Sequence, residues 1–408
     1  MRVLLLSQYF YPEQFSNNEI ARELVRRGHK VSVVCCVPNY PSGAFTRGYS
    51  NSERRIELWE GVSIYRTRTI PRGKSALQLI ANYAFFPFAA SWTAIRRLKH
   101  KPDVSFVSMP SPLLQALAGI FLKWWWKTPC VYWVQDIWPE SVTYTLRINN
   151  RFVRRMLEWL CGWIYRQADH IFVQSDAFPD MITRFGVPRD RIKTLPNTAP
   201  PTYRPIRPEE VSGAAQRVSG SGFRLMFAGN IGESQDFDTI IEAAQILNGQ
   251  VDMTWIIIGS GRDEVRVREK IKSLGLEHCF NFMGRFPEEE MPSFFAIADA
   301  LLVSLKSIPI FSLTVPYKVQ CYLACGKPII AALDGEGKRI VEEAGAGLTA
   351  SASNPSELAN AIKLMIDMSP ENRTTLGQSG LAYFEANYAR EIVYDILETE
   401  LRTQAKTI

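Results

Sequence analysis

Asp136 and Lys318 are the side chains best suited by type and context to handle charge at a reacting bond. Asp136 lies just beyond the apolar run Val131 to Val134, and open parallel sheets collect ligands beyond the carboxyl ends of their strands. A carboxylate there can take or orient a hydroxyl proton; capping the next turn is the competing role. Lys318 lies in Pro316-Tyr317-Lys318, at the start of a short helix that Gly326 would end. Backbone N–H groups at a helix start favour a diphosphate, and an ammonium adds a mobile positive charge; the competing role is an ordinary exposed helix lysine.

The remaining candidates surround these two. Gly229, Asn230, Ile231, Gly232, Gln235, Gly259, Arg285, Ser312, Leu313, Thr314 and Val315 are the expected donor-binding group, with the amides of 230–233 and 312–316 supporting Lys318. Ser16, Asn17 and Glu140 are expected on the acceptor side, although Ser16 and Asn17 serve equally well as an ordinary N-cap. Asp236-Phe237-Asp238 has the form of a metal-binding Asp-x-Asp, but at a helix start its carboxylates complement the dipole, so no metal is expected. Gly259-Ser260-Gly261 lacks the third glycine and distal acid of a dinucleotide fingerprint. His29 reads as part of a helix-stop turn, and His100, His170 and His278 have no convincing carboxylate or thiol context. No cofactor is expected.

The elements that must position these residues repeat. A strand at 3–7, a turn-prone loop and a helix at 17–27 recur as a strand at 224–228, Gly229 to Gly232 and a second helix. Strands at 31–36, 62–67, 103–107, 130–134 and 170–174 alternate with helices at 76–98, 112–126, 150–167 and 177–185. A second series runs at 254–258, 279–283, 300–304 and 328–331. Short apolar strands between longer helices predict parallel sheets covered on both faces. The chain of 408 residues exceeds the usual size of one core. The expected division is a domain at 1–198, a proline-rich linker at 199–222, a second domain at 223–386 and a closing helix at 387–408 packing on the first. A ligand site is expected in the cleft between the two.

The Pro-x-Lys helix ending in Ala-Cys-Gly-Lys-Pro-Ile-Ile, with Phe-Ala-Gly-Asn-Ile-Gly, Ile-Ile-Gly-Ser-Gly and Leu-Pro-Asn, resembles family 4 glycosyltransferases of the GT-B fold. Ser-Gln-Tyr-Phe-Tyr-Pro-Glu near the start, Pro-Asn-Tyr-Pro-Ser-Gly at 38–43 and Gln135 to Glu140 make it similar to the WbuB type, the N-acetyl-L-fucosamine transferases of bacterial O-antigen clusters. The resemblance implies an α/β architecture of two Rossmann-like domains and sugar transfer from a nucleotide diphosphate donor with retention. It also implies positions that are altered here: the family's Glu-x7-Glu pair falls on Leu313 and Cys321, and its diphosphate-binding Arg and Lys fall on Asn230 and Gln235. Lys318 is then the first candidate to stabilise the leaving diphosphate.

Charge and apolar patterning point to a membrane surface. Residues 1–200 hold 27 Lys and Arg against 14 Asp and Glu, a net +13, whereas 201–408 hold 20 against 27, a net −7. The uncharged stretch 76–95 and Lys123-Trp124-Trp125-Trp126-Lys127 lie in the basic half, a composition favoured at lipid headgroups; a packed core helix or a spanning segment are the alternatives. No nucleic-acid module accompanies the charge. Seven cysteines without a Cys-x-x-Cys pair suggest reduced thiols, and no signal peptide is expected at the N-terminus. The expected enzyme is a peripheral, cytoplasmic-face transferase joining a UDP-sugar to a polyprenyl-diphosphate-linked sugar. A nucleotide-sugar 2-epimerase and an inactive nucleotide-sugar-binding scaffold are the alternatives.

Overall fold

The computed structural model describes all residues except 41–42, 54–55, 74, 212 and 407–408. Pro41 and Ser42 of the 38–43 motif, and Lys74 of the basic flank, lie outside the described residues. The chain forms two compact units, residues 1–196 together with the C-terminal stretch from Tyr394, and Asn197–Val393.

The first unit is built on an eight-stranded sheet. Its strands are β1 (Arg2–Leu6), β2 (Lys30–Cys36), β3 (Ile56–Trp59), β4 (Val62–Thr67), β5 (Val104–Met109), β6 (Cys130–Val134), β7 (His170–Val173) and β8 (Ile192–Thr194), in the order β3-β4-β2-β1-β5-β6-β7-β8. Pairing is parallel throughout except for β3 with β4. The second unit holds β9 (Phe223–Ala228), β10 (Met253–Ile258), β11 (Phe280–Gly284), β12 (Ala300–Ser304), β13 (Ile329–Ala332) and β14 (Gly347–Ala350), all parallel, in the order β11-β10-β9-β12-β13-β14. In each sheet the direction of winding reverses beside the first strand, between β1 and β5 and between β9 and β12. Loops leave a crevice at such reversals. The central strands β5, β6, β10 and β12 are buried at every residue, which is why they read as mostly apolar runs without strict alternation.

Several elements depart from the sequence reading. The β3–β4 hairpin was not expected; it turns through Glu60 and Gly61, both at positive φ, and β3 is only half buried, so it lacks the apolar signal of its neighbours. Strands β8 and β14 and the helix Glu140–Thr145 are only three to six residues long, too short for periodicity to reveal. The stretch expected as a linker is packed: Ala199, Ala215 and Val218 are buried in the core of the second unit. Its prolines preclude regular structure without preventing burial of the small apolar residues between them.

The C-terminal helix Arg390–Lys406 is tied to the first unit by charge. Arg27 bonds Glu23, Asp395 and Glu398, and the buried His29 meets Glu398 at 3.0 Å. Desolvation of the Glu398 carboxyl is outweighed by the hydrogen bonds it accepts from Arg27, His29 and, twice, from Arg402, which hold it down at about 2. A depressed carboxyl adds stability above the ordinary carboxylate range and loses it as pH falls through about 2. Glu398→Gln is expected to cost about 1–3 kcal/mol at neutral pH in chemical denaturation, and the deficit should close as the pH is lowered below 4.

Candidate active site and its relatives

In the first unit, the end of β6 is held by its neighbours. Gln135 donates from its backbone to Met109 O at 3.2 Å and from its side chain to Ser16 Oγ at 3.2 Å, while Gln174 donates to Gln135 O at 2.7 Å. Three residues further on, the Trp138 N–H donates to the Tyr165 hydroxyl at 3.2 Å. Asp136 is fixed between these anchors. Its carboxylate forms no ion pair or hydrogen bond among the described residues, and burial alone pushes its pKa up to about 7. The capping role weighed from the sequence is not used, because the helix Glu140–Thr145 has no side-chain cap bond.

The other acceptor-side candidates are positioned differently. The helix Ser16–Arg26 is preceded by Phe15 and has no side-chain cap, so neither Ser16 nor Asn17 serves as N-cap. Asn17 is buried, its amide donating to Ser7 Oγ at 2.8 Å and Tyr9 O at 3.0 Å, with its Oδ1 left unpartnered among the described residues. Glu140 is ion-paired with Arg184.

In the second unit, the loops after β9 and β10 lie backbone against backbone. Gly259 sits at φ +133°, and a Cβ there would come 1.8 Å from Gly229 O; a Cβ on Gly261 would come 1.9 Å from Ile231 O. Only glycine fits such an approach. The Ile231 N–H is engaged by Ser260 O at 3.1 Å, leaving the Asn230 and Gly232 amides without a backbone acceptor among the described residues. The 312–316 cradle is smaller than the sequence suggests. The Ser312 and Thr314 amides bond Ile308 O and Phe311 O, and Pro316 has no N–H.

Lys318 enters the glycine loops from the helix Tyr317–Ala324. Its Nζ donates to Gln235 Oε1 at 2.6 Å, lies 3.9 Å over the Phe227 ring and would be 3.2 Å from a Cβ on Gly229. Although the residue keeps some exposure along its length, its ammonium is closely surrounded by protein, and desolvation pulls its pKa down to about 7. No carboxylate neutralises it among the described residues. Lys318 thus brings a cation to Gln235, one of the two loop positions that the family resemblance equips with cations. Arg285 is exposed after β11, the edge strand two places from β9, and no hydrogen bond or ion pair joins it to Lys318 among the described residues. Asp236 accepts from Thr239 at 2.8 Å and Ser353 at 2.6 Å, whereas Asp238 pairs with Arg266 and Lys270, so the two carboxylates of the Asp-x-Asp are held by different partners. A cavity of about 820 Å³ lies at the opposite ends of β9, β10 and β11, around Gly220, Asp252 and Asn281, and has no part in this group.

The first unit also carries an apolar face that periodicity alone did not resolve. The helix Ala76–Arg97 runs unbroken through Pro87, exposing Leu77, Ile80, Phe88 and Trp92 on one stripe. The helix Ala116–Trp126 exposes Phe121, Trp124 and Trp125, and Arg151–Arg166 exposes Phe152, Met156 and Trp159. These ten are nearly half of the 21 large apolar side chains exposed among the described residues, so they form a concentration rather than scatter. The helices adjoin: Trp124 packs on Trp163 at 6.3 Å, and Ala116–Trp126 packs on Ala76–Arg97. Arg96, over Trp92 at 4.3 Å, and Arg151, Arg154 and Arg155 are interspersed. No helix among the described residues is long and apolar enough to cross a membrane.

Comparison with known proteins agrees with this architecture. Residues 16–198 match the glycosyl transferase 4-like domain and residues 214–381 match the glycosyl transferases group 1 family. The chain is 27% identical over 292 residues to "Probable glycosyltransferase WbjE" of Pseudomonas aeruginosa, covering 70% of this chain and 68% of that protein. It is 25% identical over 212 residues to a GDP-mannose-dependent monoacylated alpha-(1-6)-phosphatidylinositol monomannoside mannosyltransferase of Corynebacterium glutamicum, covering 50% of this chain and 54% of that protein. Among solved structures, Anabaena Alr3699/HepE in complex with UDP superposes with a TM-score of 0.72 at 17% identity, covering 99% of this chain and all of that one. With its first unit matching one glycosyltransferase domain and its second the other, on paired Rossmann-like sheets, the chain belongs to the family 4 glycosyltransferases of the GT-B fold.

Proposed function

We propose that this transferase moves an N-acetylated amino sugar, such as N-acetyl-L-fucosamine, from a UDP donor to a polyprenyl-diphosphate-linked sugar, with retention, during bacterial surface-polysaccharide synthesis. The observation that carries the reading is the un-neutralised Lys318 ammonium held at the glycine loops. A buried cation without a counter-ion is costly unless a ligand supplies the anion, and the donor diphosphate supplies it. As the glycosidic bond breaks, negative charge grows on the diphosphate, and a cation fixed there lowers the barrier. Asp136 orients the acceptor hydroxyl and takes its proton. The UDP complex of the Anabaena neighbour favours uridine; the Corynebacterium relative, named for GDP-mannose, makes guanosine the donor to exclude.

The test incubates the purified chain with UDP- and GDP-sugars and a sugar linked to lipid through a diphosphate, and reads the product by mass and anomeric coupling. Transfer with the donor's anomeric configuration supports the reading. An isomerised free donor means an epimerase, and donor binding without product means a scaffold.

The same reading places the enzyme peripherally at the anionic cytoplasmic face of the inner membrane. Apolar stripes interspersed with Arg and Lys suit the headgroup region. Wild-type protein should float with liposomes containing phosphatidylglycerol, and the double change Phe88→Ser with Trp92→Ser should reduce the floated fraction at least fivefold. Equal flotation of the two proteins would sink this placement.

A further inference from the structure

Beside Asp136 the first unit gathers side chains that the scheme above does not use. Tyr9, Phe15 and Tyr40 pack ring on ring: Tyr9 stacks on Phe15 at 5.5 Å and 14°, and Tyr40 lies 5.3 Å from each. The Arg72 guanidinium stands 5.3 Å over the Tyr40 ring, and its backbone N–H donates to Asn39 Oδ1 at 3.0 Å. Glu13 fixes this loop by accepting from the Asn39 and Tyr40 amides at 2.7 and 2.6 Å. Tyr83 lies beside Ser111 and within the fields of both Arg72 and Asp136, which joins the aromatic group to the carboxylate.

Two members of the group have unused bonding capacity. Arg72 has no carboxylate partner among the described residues, and the Tyr9 hydroxyl is buried without a hydrogen-bond partner, near Tyr83 and Arg72. Leaving a buried phenol unpaired forfeits its hydrogen bond to water, and such groups call for an explanation, a ligand among them. Aromatic faces pack on apolar ring surfaces, and guanidinium groups bind phosphate through two parallel hydrogen bonds. Arg72 also lies just ahead of the helix Ala76–Arg97, whose apolar stripe begins at Leu77.

We propose that Phe15, Tyr40 and Tyr83 hold the acceptor sugar beside Asp136, and that Arg72 binds the phosphate joining that sugar to its lipid. This rests on the lipid-linked acceptor proposed above. It adds the residues that distinguish such an acceptor from a free sugar, and it places the phosphate where the lipid can leave along the apolar stripe.

The test titrates the full chain by calorimetry with two probes: N-acetylglucosamine joined to an octyl chain through a diphosphate, and octyl N-acetylglucosaminide, which lacks the diphosphate. Wild type is expected to bind the first at least tenfold more tightly. Arg72→Gln should bring that ratio to within threefold, Arg72→Lys should give an intermediate ratio, and Tyr40→Ala should weaken both probes about equally. A wild-type ratio near one, or a ratio unchanged in Arg72→Gln, would overturn the proposal; circular dichroism checks each fold, and Arg72→Lys decides the matter should Arg72→Gln misfold. UDP is titrated in parallel. Loss of UDP binding in wild type would count against the donor reading instead, so the two failures are distinguishable.

Discussion

Lys318→Met is expected to lose at least 100-fold in turnover while unfolding at a higher temperature than wild type. Both effects come from one observation: an ammonium desolvated without a carboxylate, supported only by the Gln235 amide and the Phe227 ring. Removing a preorganised group that stabilises developing charge typically costs 10²–10³ in rate. The stability gain has a definite pH dependence. The unfolded lysine stays protonated up to its ordinary 10.5, whereas the folded one releases its proton at about 7. The folded state therefore bears the full penalty below about pH 7, and the penalty fades as pH rises toward 10.5. Methionine fills similar space without charge, so it should gain about 1–2 kcal/mol at pH 6 and progressively less above pH 7. Calorimetric melting at pH 6 and pH 9.5, alongside UDP-release kinetics, measures both. If Lys318→Met keeps turnover within a few-fold of wild type, or melts lower at pH 6, the assignment is wrong.

Asp136→Asn should abolish transfer by 10²–10⁴-fold while binding UDP as wild type does. Asparagine keeps the shape and the anchored backbone on either side, so a loss of folding would not be the explanation. The pH profile offers a second readout. With its pKa raised to about 7, Asp136 accepts a proton only above that value, and with its own near 7, Lys318 is charged only below. The kcat/KM of wild type should therefore be bell-shaped with its maximum near pH 7. Binding of a diphosphate favours the charged lysine, so the alkaline limb should move upward in kcat. Residual Asp136→Asn activity should lack the acid limb. A variant with full activity, or one that retains the acid limb, would remove the base role.

Much of the architecture can be read from residue order. Buried parallel strands such as β6 and β12 are largely apolar runs, and Gly259 and Gly261 stand where backbones approach too closely for a Cβ. The placement of Asp136 and Lys318 was legible too, the first just beyond the end of strand β6 and the second in the first turn of the helix Tyr317–Ala324. Other features were not. Tyr83 lies inside the uncharged stretch 76–95, where nothing in the pattern separates it from its apolar neighbours; only the packing of the helix turns it toward Arg72 and Asp136. The third exposed apolar face, at Phe152, Met156 and Trp159, reads as core until the helix is docked with that side outward. Glu140, attractive by position, is ion-paired with an arginine 44 residues away.

The amino-acid order alone thus determined two doubly wound sheets, the glycines that let their loops meet, and the absence of the usual loop cations. The tertiary structure decided which cation stands at that loop, because Lys318 and Gln235 are 83 residues apart and meet only when β9 and the helix Tyr317–Ala324 pack together. It also decided the protonation of Asp136 and Lys318. A side chain carries its identity in the sequence, but its pKa depends on how much water the fold removes from it.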